Sequence, residues 1–256
     1  MNRSASAPAP LPISAVIITR NAERHLAAVL AACEFCAERL VLDSGSTDGT
    51  AVIAQVAGAR FERQEFLGYG PQKRRAVELA RHDWILALDA DEVLDAAAQQ
   101  AIGGLDFTDP ATCWQFLRRT FIGRREIRHG PWRRERVLRL FNRTTAAFKP
   151  LAVHEEVESS RPPLLLPGSI LHYSYDGLPD VIARSLRYAP LKADVMRRKR
   201  QRPAIWSLPI RGMAAFCGSY LGSGGWRDGA AGFVIAIARV LDSTLPRALL
   251  LFDDEA

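Results

Sequence analysis

Short apolar runs that alternate with helix-forming stretches constrain this chain most. Residues 13–19, ISAVIIT, are β-branched and almost wholly apolar, and so are Leu40-Val41-Leu42 and Trp84-Ile85-Leu86-Ala87-Leu88. Runs of this length and composition read as strands buried on both faces, the pattern of a parallel sheet. Between them, residues 22–33 place Leu26, Val29, Leu30 and Cys33 at helical spacing, with Asn21 positioned as an N-cap. A second helix is expected through Val56, a weak strand over 59–62 and a third helix over 72–80. Strand–helix alternation predicts an α/β fold, in which ligands bind beyond the carboxyl ends of the strands. Asp43 and Asp89 both follow a predicted strand directly.

Past residue 105 the pattern loosens. Residues 118–143 hold ten arginines, and residues 178–202 read as a helix with eight basic side chains, stopping at Pro203. Apolar stretches broken by glycine follow, and 233–240 reads as a last helix. Charge divides along the same line: residues 1–110 carry a net −5 and residues 111–256 a net +11. The 48% hydrophobic content excludes wholesale disorder. No run reaches the ~18 apolar residues of a membrane span. The opening MNRSASAPAPLP lacks an apolar core for export and reads as a disordered tail over 1–12. Cys33 and Cys36 form one C-x-x-C without a second pair, read as two buried helical thiols in a reducing cytoplasm.

Two clusters carry chemistry. Asp89-Ala90-Asp91 puts two carboxylates at a strand end, where they can share a hard cation such as Mg²⁺ or Mn²⁺ with a phosphorylated ligand. The plain alternative is a solvated acidic turn. Residues 43–50, DSGSTDGT, combine glycines that admit close backbone approach with side chains able to cap the next helix. Asp43 there can accept hydrogen bonds from a nucleotide base, or the segment can be a capped turn that binds nothing.

The blocks VIITRN, VLDSGSTDGT and WILALDADE resemble, in order and spacing, the successive motifs of family 2 glycosyltransferases with the GT-A fold. Arg139-Leu140-Phe141, Val153-His154-Glu155-Glu156 and Leu171-His172-Tyr173-Ser174-Tyr175 resemble the branch with lipopolysaccharide core β-glucosyltransferases. The resemblance implies a Rossmann-like GT-A catalytic domain over 13–175 and a mainly helical extension over 176–256. It also implies an inverting, metal-dependent hexose transfer, with UDP-glucose favoured as donor and a lipid-linked glycan as acceptor. Thr19 and Asn21 match positions lining the nucleotide site, Asp43 matches the base-binding aspartate, and Asp48 lies in the same loop. Lys73 and Arg74 match a loop near the diphosphate, with Arg74 in place of the asparagine common in relatives. Asp89 and Asp91 match the metal-diphosphate D-x-D, Asp91 being the usual direct ligand, and His172 is a candidate third ligand or a structural histidine. Glu155 is the candidate general base, with Glu156 as alternate.

The basic second part suits acceptor phosphates held by arginine forks, and an anionic membrane surface met by the 178–202 helix and the aromatic residues after it. A helical dimer interface or a cap on the catalytic domain is the competing use. The protein is expected to be cytoplasmic and peripheral on the inner membrane face, with nucleic acid not a partner. Two rivals stay open: a sugar nucleotidyltransferase, and a non-catalytic membrane or nucleic-acid adaptor on a decayed transferase fold.

Overall fold

The computed structural model describes residues 9–149 and 157–254. In chain order the elements are β1 (Leu11–Thr19), α1 (Leu26–Ala31), β2 (Cys36–Asp43), α2 (Thr50–Val56), β3 (Arg60–Arg63), α3 (Tyr69–Leu79), β4 (Trp84–Asp89) and β5 (Glu92–Leu94). Then come α4 (Ala96–Gly103), β6 (Trp114–Ile122), β7 (Arg125–Ile127), β8 (Glu135–Asn142), β9 (Ala146–Phe148), β10 (Val157–Ser159) and β11 (Leu164–Tyr175). Helices α5 (Leu178–Arg198), α6 (Ser207–Cys217) and α7 (Ala230–Asp254) follow. The chain divides into two compact units, 1–118 with 135–172, and 119–134 with 173–256. The division falls inside β6 and β11, so the 119–134 segment groups with the C-terminal helices.

The first unit is built on the strand order β3-β2-β1-β4-β8-β6-β11-β5. Strands β3, β2, β1 and β4 run parallel, as expected, whereas β8 pairs with β4 antiparallel. The sheet is therefore mixed. Period-2 alternation sends side chains into two layers. Ile13, Ala15 and Ile17 of β1, with Leu86 and Leu88 of β4, pack on Leu26, Val29 and Leu30 from α1. Val16, Leu40, Leu42, Ile85 and Ala87 face the other way, onto Ala76 of α3 and onto Phe141 and Phe148. Strands buried on both faces explain why these runs are nearly continuous in apolar residues.

Several local expectations are corrected. Strand β1 starts at Leu11, inside the stretch read as tail. Helix α1 is only six residues long and begins after His25, so Asn21 is not its cap. Cys33 follows α1 in a turn and Cys36 opens β2; both thiols are buried, but neither is helical. Helix α7 runs on past Pro246 to Asp254, well beyond 240.

Strand β11 passes through Gly168, where φ is +87°. A Cβ there would lie 2.1 Å from the Ala98 nitrogen of α4, so the close strand–helix approach requires glycine.

In the second unit, Ile122 and Ile127 of the β6–β7 hairpin share a core with Val181 of α5 and with Ala231, Ile235 and Ala238 of α7. Gly232 of α7 sits where a Cβ would fall 1.8 Å from the Gly225 carbonyl oxygen. Among the described residues no helix is long and apolar enough to cross a membrane.

Candidate active site

Parallel pairing aligns the carboxyl ends of three strands. Thr19 of β1 stands opposite Asp43 of β2, and Ile18 stands opposite Asp89 of β4. Chain order reverses direction between β1 and β4, which makes this edge the topological switch point of the parallel segment.

Two loops interlock above β1 and β2. Asp43 is buried, and its carboxylate accepts from the Thr19 hydroxyl at 2.9 Å, from the Gly45 and Ser46 amides at 3.0 and 2.8 Å, and from the Ser46 hydroxyl. These four donors match the roughly four lone-pair sites of a carboxylate. Of these donors the Ser46 hydroxyl stands at the half-exposed rim, where an incoming N–H can take its place. Asn21 adopts φ +51°, tolerated by asparagine, and its Oδ1 accepts from the Thr47 amide at 2.9 Å. Its own amide donates to Ser46 Oγ at 2.8 Å. Asp48 accepts from the Glu23 amide at 3.1 Å and from the Thr50 hydroxyl. Desolvation pushes its carboxyl up, but hydrogen bonds from Thr50 and Glu23 outweigh that and hold it below its ordinary value. Asp48 therefore braces the loop and accepts from the amide of Thr50, the first residue of α2, at 3.1 Å.

The second cluster gathers at the β4–β5 turn. Asp89 Oδ1 lies 2.7 Å from Lys73 Nζ of α3, and Oδ2 lies 3.2 Å from Arg139 Nη2 of β8. Glu92 is wholly buried. It receives Arg139 as a fork, Nε and Nη2 each at 2.8 Å, with Arg118 Nη1 at 3.1 Å and the Asp89 amide at 3.2 Å. Burial opposes ionisation of Glu92, but Arg139, His172 and Arg118 override it and hold the carboxyl well below the usual range. Asp89 is likewise lowered: desolvation and the Glu92 charge push upward, and Lys73 and Arg139 prevail. Arg74, one step round α3 from Lys73, is exposed to solvent.

Asp91 differs from both neighbours. Its Oδ2 lies 3.5 Å from His172 Nε2, and a third of its side chain is exposed. Strand β11 places His172 opposite Glu92, so the pairing itself carries the imidazole to the turn. Two atoms bound to one divalent cation at ~2.1 Å each can stand up to ~4.2 Å apart, so Asp91 and His172 fit a shared ion. Among the described residues no set of three or more His, Cys, Asp or Glu side chains converges on a metal position. An ion held by this pair would take most of its coordination positions from phosphate and water.

The structure brings together Thr19 with Asp43, Lys73 with Asp89, and Asp91 with His172. Glu155 and Glu156 lie outside the described residues. Sequence reasoning missed the roles of Glu92, Arg118 and Arg139. The available signal was the third acid of Asp89-Ala90-Asp91-Glu92, facing inward on a short strand, and an arginine inside the apolar run Val137–Phe141. A buried guanidinium and a buried carboxylate are each costly unless they meet.

Residues 14–161 match the model of glycosyl transferase family 2. The chain is 32% identical over 246 residues to the lipopolysaccharide core biosynthesis glycosyltransferase LpsC of Rhizobium meliloti, covering 93% of this chain and 91% of that protein. An uncharacterized glycosyltransferase of Rickettsia bellii is 28% identical, over 75% and 70% of the two chains. Among solved structures, glucosyl-3-phosphoglycerate synthase from Mycobacterium tuberculosis is 24% identical over 43% of each chain, with a TM-score of 0.34. The family match spans more than half of the chain, from β1 through the acidic turn to β10, and LpsC matches nearly all of it. This chain belongs to the family 2 glycosyltransferases.

Proposed function

We propose that the protein transfers a hexose, with glucose favoured, from a nucleoside diphosphate sugar, with UDP-glucose favoured, to a lipopolysaccharide-core or other membrane-linked glycan, with inversion. The observation that carries this reading is the acidic turn. Of its three carboxylates, two are paired with Lys73, Arg139 and Arg118, whereas Asp91 faces His172 at 3.5 Å.

In this reading the Asp43 loop receives the base, the Ser46 hydroxyl giving up its place on the Asp43 carboxylate to a base N–H, while Thr19 and Asn21 keep the loop in place. Asp91 and His172 hold Mg²⁺ or Mn²⁺, with Asp89 beside them. A bound ion of this kind supplies Lewis-acid neutralisation of the leaving diphosphate. Lys73 stands ready to share its charge between Asp89 and a phosphate oxygen, and exposed Arg74 offers a second cation from the same helix. Glu155, or Glu156 as alternate, removes the acceptor hydroxyl proton as that oxygen bonds to the anomeric carbon and the bond to diphosphate breaks. The protein works from the cytoplasmic face as a peripheral membrane protein.

Thermal shift with UDP, with and without Mn²⁺, tests the reading. A ligand at 100 times its Kd raises stability by ~2.7 kcal/mol. The expected result is a UDP-dependent rise in Tm that grows with Mn²⁺, with the increment lost in Asp91→Ala together with glucosyl transfer. An Asp91→Ala variant that keeps both the increment and full transfer overturns it.

A further inference from the structure

The second unit presents a surface that the transfer chemistry does not use. Between Asp194 and Asp228 the chain has no acidic residue and seven basic ones. Five of these, Arg197, Arg198, Lys199, Arg200 and Arg202, are exposed around the end of α5. Directly after them, Ile205, Trp206, Ile210, Met213 and Leu221 are each 60–71% exposed.

Their spacing gives the exposure meaning. Trp206, Ile210, Met213 and Leu221 recur at helical intervals along α6 and the wide turn of residues 218–222 that extends it. The opposite face of α6 is already occupied. Gly212 lies against α7, a Cβ there falling 3.3 Å from Thr244 Cγ2, and Ser219 is buried. The helix is thus apolar on both sides, once toward α7 and once toward solvent. Beside Met213, an apolar cleft of about 550 Å³ lined by Leu208, Pro209, Phe216 and Val240 opens between α6 and α7. A lone exposed apolar residue needs no explanation, but a contiguous stripe marks an interaction site.

We propose that residues 197–221 dock this protein onto an anionic lipid bilayer, with α6 lying in the plane of the interface. The exposed cations meet the lipid phosphates, the Trp206 indole sits at the headgroup level, and Ile210, Met213 and Leu221 enter the acyl boundary beside the cleft. Charge selects the occupant. A stripe with no carboxylate of its own, flanked by exposed cations of which Arg197 pairs with Asp194 at 2.6 Å, repels a second copy of itself, whereas it matches a negatively charged surface. The proposal rests on the peripheral-membrane part of the function proposed above, but not on its chemistry.

Flotation of the full chain with phosphatidylcholine vesicles, with or without 30% phosphatidylglycerol, tests this. Each Lys or Arg near such a surface contributes ~1 kcal/mol, about fivefold in partitioning. The wild type is expected to float with anionic vesicles only, and less so at 0.5 M salt. Arg198→Gln/Lys199→Gln should weaken partitioning by roughly 25-fold, and Trp206→Ser/Ile210→Ser by at least ~10-fold. All three proteins should keep the same Tm and the same UDP-induced shift, since these side chains are exposed. If the wild type ignores anionic vesicles, the membrane reading fails. If it binds and both double variants bind equally well, this surface is wrong while the membrane reading stands. A concentration-dependent dimer that Trp206→Ser/Ile210→Ser dissociates, without vesicle binding, assigns the stripe to a second copy and overturns the proposal.

Discussion

Replacing Glu92 by glutamine perturbs one atom of the acidic cluster and removes one buried charge. Glu92 has no exposed surface, and three cationic N–H groups at 2.8, 2.8 and 3.1 Å converge on it. The glutamine amide keeps one acceptor and turns an NH₂ toward guanidinium donors. Up to two charge-assisted hydrogen bonds, each contributing ~1.5–3 kcal/mol, are then lost, because a guanidinium has no acceptor for the NH₂. Arg139, only 7% exposed at its side chain, then loses one arm of its fork while its contact with Asp89 at 3.2 Å stays. Breaking a buried pair from one side typically costs ~3–5 kcal/mol, and that is the loss expected for the first unit. Because the chain has two compact units, the assay must report on this one. Cys33, Cys36 and Cys113 are all buried in it, so labelling of their thiols against urea, in a Cys217→Ser background, follows its opening. Arg139→Gln should cost a similar amount. The double variant should cost far less than the sum, with a coupling energy of at least ~2 kcal/mol. A Glu92→Gln loss below ~1 kcal/mol, or additive single variants, refutes the claim that this fork holds the turn carrying Asp89 and Asp91.

Two further predictions concern stability. Glu126, 7% exposed at its side chain, pairs with Arg119 through a fork at 3.0 and 2.8 Å and also with Arg128 and Arg134. The Arg119 hydrogen bonds lead in setting its carboxyl at about 2, opposed by burial and aided by Arg134 and Arg128. A depressed carboxylate stabilises the fold above its unfolded value of ~4.3 and loses that contribution as pH falls through the folded value. The second unit should therefore lose ~3 kcal/mol between about pH 4.5 and 2, and Glu126→Gln should flatten that part of a pH–stability curve; an unchanged slope contradicts the assignment. Gly168→Ala places a methyl 2.1 Å from the Ala98 nitrogen at φ +87° and should cost ~2–5 kcal/mol by urea titration; a neutral result means β11 and α4 are not in contact there.

Much of the candidate site's edge was legible because it follows from periodicity and loop chemistry. A seven-residue β-branched run that stops at Thr19-Arg20-Asn21, and a Leu-Val-Leu run that stops at Asp43, fix where strands end and which polar groups stand there. Two limits were physical. Helix α1 proved half its expected length because residues 21–23 are spent on hydrogen bonds to residues 46–50, and local spacing does not encode a partner 25 residues away. The antiparallel half of the sheet was hidden for the same reason. Strand β5 has three residues and no pattern of its own, and pairing with β11 defines it.

By itself, then, the sequence determined the family, the parallel strands and the position of Asp43, Asp89 and Asp91 at their ends, since motif order and hydrophobic period are local properties. Tertiary structure alone decided how three adjacent carboxylates differ. Arg139 lies 47 residues from Glu92 and reaches it only because β8 pairs beside β4. Lys73 reaches Asp89 from α3, and β11 delivers His172 to Asp91. Which acid is neutralised and which is left open depends on the field of cations brought from distant strands, and that field exists only once the sheet has formed.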